Sequence, residues 1–141
     1  MLLGEPETRD LIEMRSVLEI DSARFAATRA SEDARAELAQ NFADMERAMP
    51  ELSEVVKHDF RFHVILAENC GNQLIADALR VCRTLLRIWM DRALRDVSEA
   101  EDAIREHKEI LHAIQARDGD AAAAAMTVHM QTATRRLIKL A

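Results

Sequence analysis

Glycine and proline are scarce in this chain, three and two among 141 residues, and tyrosine is missing altogether. Sheets joined by tight turns need more turn-forming residues than that. Ala, Leu, Glu and Arg, all good helix formers, recur throughout, so the composition predicts an all-α protein. The two cysteines, Cys70 and Cys82, stand outside any CxxC pattern. That excludes a disulfide framework or a thiolate zinc site and leaves reduced, structural thiols. An excess of positive charge is missing too: Lys and Arg number 19 against 25 Asp and Glu, a formal charge of -6. Grip on a phosphate backbone comes mainly from clustered cations, so these residues themselves are not expected to bind DNA. No apolar run reaches the roughly 20 residues of a membrane helix. The start, Met1 to Glu7, lacks the basic and apolar stretches of a secretory signal, and a cytoplasmic location without membrane contact is the expectation.

What is present suits one globular domain: 49% hydrophobic and 31% charged residues, enough for a single continuous core. Start and stop signals divide the chain into about six helices. The first is expected from Glu7 to Arg29, with Leu11, Leu18, Ser22 and Phe25 marking one face and Met14 and Arg15 beside them. Ser31, followed by Glu32 and Asp33, resembles a cap with acids in the first turn of a second helix, which Pro50 closes. A third starts near Ser53 and Glu54, carries Val56, Phe62 and Leu66, and stops at Gly71. Asn72 caps the fourth. Ser98 and Glu101 have capping-box spacing and open a fifth that runs to about Arg117. After the break Asp118-Gly119-Asp120, the last runs to Leu140 through five consecutive alanines that permit close helix packing. An antiparallel bundle follows from these elements.

Three of the five histidines fall on stripes otherwise kept for apolar residues. Asp59 and His63, four residues apart, continue the stripe of Leu52, Val56 and Leu66. His107 lies three residues after Ile104 and four before Leu111, and His129 three after Met126 and four before Ala133. A carboxylate facing a core is costly unless paired, and several neutral imidazoles around it can be reconciled by a divalent cation. Asp oxygen and His nitrogen are ordinary zinc ligands, either tetrahedral or with positions left open for water or a ligand carboxylate. The same spacing also fits an ordinary Asp59–His63 helix pair and core histidines satisfied by carbonyls or water. His58 and His112 have charged neighbours and are read as surface or flanking residues.

The segments Asp59-Phe60-Arg61-Phe62-His63 and Ala67-Glu68-Asn69-Cys70-Gly71-Asn72 resemble the FCD domain, the C-terminal effector domain of FadR-type GntR transcription regulators. Leu11 to Glu19 is similar to that family's first effector-domain helix and Glu106 to Ile114 to its penultimate one, with Gly119-Asp120 and His129 following in order. The resemblance implies a cavity in which Asp59, His63, His107 and His129 hold a divalent metal, zinc first, with nickel or manganese as alternatives. It implies a small organic acid bound at or beside the metal, altering DNA binding by an attached winged helix. Arg15 matches a first-helix arginine able to meet the effector's carboxylate in two-pronged fashion, although an arginine beside an apolar stripe also fits a buried stem on the surface. Arg83 and Arg87 are weaker candidates without a motif match. Residues 1–6 are expected to be a linker remnant and 7–141 the effector-binding and dimerisation domain, with the DNA-binding domain absent from this chain. A homodimer is expected, with Met45 and Met49 among its contacts.

The principal rival is a metal-dependent hydrolase, since a cation with an open position acidifies bound water. No HExxH motif, no additional general base and only one Glu-x-x-His element, Glu109 and His112, are present, so no enzyme is expected. A purely structural dimerisation module is the third reading.

Overall fold

Capping side chains decide where most helices start. In the computed structural model, which describes residues 5–140, six helices follow one another: α1 (Glu5–Arg29), α2 (Glu32–Ala48), α3 (Leu52–Glu68), α4 (Gln73–Met90), α5 (Val97–Gln115) and α6 (Gly119–Leu140). Residues 1–4 of the expected linker lie outside the described range. Ser31 Oγ accepts the Ala34 N–H at 3.1 Å, and Asn72 Oδ1 accepts that of Ile75 at 3.1 Å, as their types predict. Gly71 between α3 and α4 has φ 74°, and a Cβ there would meet Arg29 Cδ at 2.6 Å. The backbone conformation favours glycine there, and a side chain would also have to displace Arg29.

Four starts differ from expectation: α1 already includes Glu5 and Pro6, ahead of Glu7, and α6 begins at Gly119 inside the expected break. The helix expected from Ser53 begins at Leu52, and Glu51 at the cap position makes no side-chain cap bond. The box assigned to Ser98 and Glu101 lies two residues earlier: Asp96 Oδ1 accepts the Glu99 N–H at 2.8 Å while Glu99 Oε2 accepts that of Arg95 at 2.9 Å. The carboxylate at 96 reaches the free N–H first, leaving Ser98 inside the first turn. The same helix ends at Gln115, before Arg117 turns left-handed at φ 57°.

Packing follows the bundle expectation: α1 lies against α6 and α4, α2 against α3, and α5 against α6 and α2. The main apolar core gathers Leu38, Phe42, Met45, Val55, Phe62, Ile110 and Ile114. Met45 is fully buried there, so it is unavailable to a dimer interface, while Met49 is half-buried. The inward face of α1 is also rotated from the expected one. Ile12, Arg15, Glu19, Ser22, Ala23 and Ala26 are buried, while Leu11, Leu18 and Phe25 are only half-buried. Small residues on both sides let α1 approach α6: Ala122 and Ala123 are buried, and a Cβ at Gly119 would sit 3.0 Å from the Arg24 carbonyl. No helix among the described residues is long and apolar enough to cross a membrane.

Candidate metal centre

α3 places Asp59 and His63 one turn apart on its inner face, α5 supplies His107 and α6 supplies His129. Each offers one ligand atom, and these four atoms lie within 4.8 Å of one another. Asp59 Oδ1 is 2.6 Å from His107 Nε2 and 3.3 Å from His63 Nε2, and His63 Nε2 is 3.3 Å from His129 Nε2. The three imidazoles are buried, whereas the Asp59 side chain keeps 27% exposure. Phe62 packs edge-on against His107, ring centroids 4.7 Å apart, and walls the cluster from the apolar core.

The outward nitrogens are occupied as well. His107 Nδ1 lies 2.5 Å from the Ala103 carbonyl, His129 Nδ1 2.7 Å from Glu106 Oε1, and His63 Nδ1 2.7 Å from Glu19 Oε2. The last is a charge contact, because neither atom makes an aligned hydrogen bond. An acceptor beside each Nδ1 favours the Nδ1–H tautomer and leaves each Nε2 lone pair turned towards the shared point.

The electrostatics agree. Burial pushes His129 down to about 4, helped by nearby His107 and opposed by its bond to Glu106, so it is neutral in the range where imidazole coordinates. Burial alone would raise Asp59, but His107 and His63 hold its carboxyl well below the ordinary value. Burial would also lower His63, yet Glu19 and Asp59 outweigh it and raise the imidazole. Without a metal, a charged Asp59 beside a charged His63 is thus favoured, with His129 neutral. One carboxylate oxygen and three imidazole nitrogens form a donor set suited to a zinc-like divalent ion, and the residues fit the group that the resemblance implies.

A small cavity of about 40 Å³ opens beside the cluster, lined by Arg15, Asp59, His63, His129 and Arg136, with room for a few water-sized groups. Arg15 is buried, its Nη2 3.6 Å from Glu19 Oε2 and its Nε without a partner. Arg83 faces the other side of Glu19, donating from Nη2 to Glu19 Oε1 at 2.7 Å and to the His63 carbonyl at 3.1 Å. Arg87 lies outside, its guanidinium 5.5 Å from the Phe60 ring centroid. His58 and His112 stand apart from the cluster, and Glu109 and His112 are exposed. Sequence reasoning missed Glu19, Glu106 and Arg136. The Ile12, Arg15, Glu19, Ser22, Ala26 spacing is the available signal for the first, since it traces one helical stripe.

A family model described as the FCD domain matches residues 10–132. This chain belongs to the FCD domain family of GntR-type transcription regulators. Among curated proteins it is 28% identical over 148 residues to the HTH-type transcriptional regulator LutR of Bacillus subtilis, covering 92% of this chain and 62% of that one. It is 31% identical over 120 residues to the transcriptional repressor RspR of Escherichia coli, covering 84% and 53%. It is 27% identical over 126 residues to the galactonate operon repressor of the same species, covering 89% and 55%. The FCD chain therefore spans little more than half the length of these relatives. The Streptococcus agalactiae GntR structure superposes with TM-score 0.78 at 27% identity, over 95% of this chain and 62% of that one. These relatives are named as regulators, not enzymes.

Proposed function

We propose that this FCD domain is the ligand-sensing and dimerisation part of a FadR-type regulator, with Asp59, His63, His107 and His129 holding a divalent metal, zinc first. A small organic acid binds beside the ion, its carboxylate meeting the metal and Arg15. The helical bundle is the sensor, and DNA is contacted only through an attached winged helix. The convergence of three Nε2 atoms and one carboxylate oxygen within 4.8 Å carries this reading. The unpartnered Arg15 Nε and the adjoining cavity support the anion. Effector binding would shift the population of bundle conformations and hence the spacing of two DNA-binding halves. Dimerisation through α4 is supported by Leu74, Val81, Leu85 and Ile88, an exposed apolar stripe facing away from the core.

Elemental analysis of untagged protein, parent beside a His63→Ala, His129→Ala variant, tests the metal. Near-stoichiometric metal in the parent and none in the variant is the expected result. Metal in neither would overturn it. Thermal shifts of the loaded protein with organic acids, galactonate among them, then test the sensor, and stabilisation that disappears in Arg15→Met is expected.

A further inference from the structure

We infer that Glu19 is a positioning residue that joins the metal centre to the anion-binding arginine, so that the two behave as one unit. This rests on the metal reading above and extends it to a residue on α1.

An imidazole holds a cation well only when its other nitrogen is fixed by an acceptor. His107 finds a backbone carbonyl and His129 finds Glu106. The acceptor beside His63 Nδ1 is Glu19 Oε2, 2.7 Å away and 1% exposed as a residue. Glu106 also has Arg136 Nη1 3.8 Å from its Oε1, but Glu19 faces two guanidinium groups. Its Oε2 is the counter-charge 3.6 Å from Arg15 Nη2, and its Oε1 accepts from Arg83 Nη2 at 2.7 Å. Arg83 in turn holds the His63 carbonyl at 3.1 Å, so the ring and the backbone of that ligand are fixed through the same carboxylate. Three helices, α1, α3 and α4, thereby meet at one buried charge.

Removing that charge strands two buried guanidinium groups and frees the His63 ring to turn. The charge balance also states what the cavity accepts. Arg15, Arg83 and Arg136 offset Glu19, Asp59 and Glu106, and Asp91 in the cavity lining is offset by Arg87, 3.8 Å away, so the net charge that a ligand meets is that of the divalent ion. An organic anion, not a neutral or cationic metabolite, complements it.

The test is zinc affinity by competition with a chromogenic chelator, with acetate binding to the zinc-saturated protein as the anion probe, in the parent and in Glu19→Gln. Glu19→Gln should weaken zinc by about 10–100-fold, as loss of an outer partner does, and tighten acetate by about tenfold, because Arg15 is released from its counter-charge. Leu38→Ala in the apolar core serves as the stability control: it lowers Tm but leaves both affinities unchanged. If Glu19→Gln fails to fold by circular dichroism, Glu19→Gln with Arg83→Met removes a stranded guanidinium along with its counter-charge and is measured in its place, with the same weakening of zinc expected. Parental zinc affinity in the folded variant would overturn the role at His63. Weakened zinc with unchanged acetate would overturn the tie to Arg15. A parent that binds no zinc would instead sink the metal reading, and this inference with it.

Discussion

The bundle has two interiors. Around Leu38, Phe42, Met45 and Ile114, α2 and α5 meet mainly through hydrocarbon, joined by Arg35 Nε donating to the Ile114 carbonyl at 3.2 Å. Between α1, α3, α4 and α6 an equally buried space holds Arg15, Glu19, His63, Arg83 and His129. Burial is the same and the forces are not. The first interior gains stability from apolar area removed from water and tolerates loose specificity. In the second, each group is affordable only through a named partner, so loss of one leaves others uncompensated. Cohesion sits in the first, and selective chemistry in the second.

Substitutions can break or sharpen that contrast. Phe62 is fully buried and belongs to both interiors, with edge contacts to His107 and His63. Phe62→Ala should therefore cost about 3–5 kcal/mol in urea denaturation and also weaken zinc, and an unchanged zinc affinity would show that the ring wall does not hold the imidazoles. Leu38→Ala should cost about 2–5 kcal/mol with zinc affinity untouched, keeping the two interiors separate.

Acidity distinguishes them next. In the metal-free domain burial holds His129 down to about 4, while in the unfolded chain it takes its proton near 6.5. Between those values the unfolded state binds more protons, so stability should fall as the pH drops through that window. Glu19, held below its ordinary 4.5 by His63 and Arg83 against the opposing effect of burial, adds a further loss below that value. His63 acts in the other direction: its raised value gives stability that is complete below 6.5 and lost as the pH climbs through the folded-state value. The urea midpoint of metal-free protein should peak near pH 6.5, and His129→Asn should flatten the acid side. A flat profile from 6.5 to 4 would contradict the assignment. The smallest effect belongs to neither interior: Ser31→Ala, at the α2 cap, should cost about 1 kcal/mol and change nothing at the metal.

The same contrast explains what could be read from the chain. Apolar periodicity and caps at Ser31 and Asn72 gave six helices and their order, because hydrocarbon stripes and capping oxygens act locally. Histidines on apolar stripes gave the four candidate ligands, and the fold brings all four together. The inner face of α1 was rotated because its centre carries Arg15 and Glu19, which a hydrophobic pattern assigns to solvent. Glu19 is buried with Arg15 one turn before it on α1 and with His63 and Arg83 from α3 and α4 around it, and the two long-range partners leave no local mark. Ser98 lost its cap to Asp96 for a nearer reason: two acceptors competed for one free turn.

The ligands are also far apart along the chain. Asp59 and His107 are separated by 48 residues, and His63 and His129 by 66. An ion held among them would act as a removable cross-link, closing long loops in the way a disulfide does and drawing its strength from binding free energy that the unfolded chain forgoes. Metal supply would then set how firmly α3, α5 and α6 are tied, and the rigidity of the bundle would itself be a quantity that the surroundings adjust.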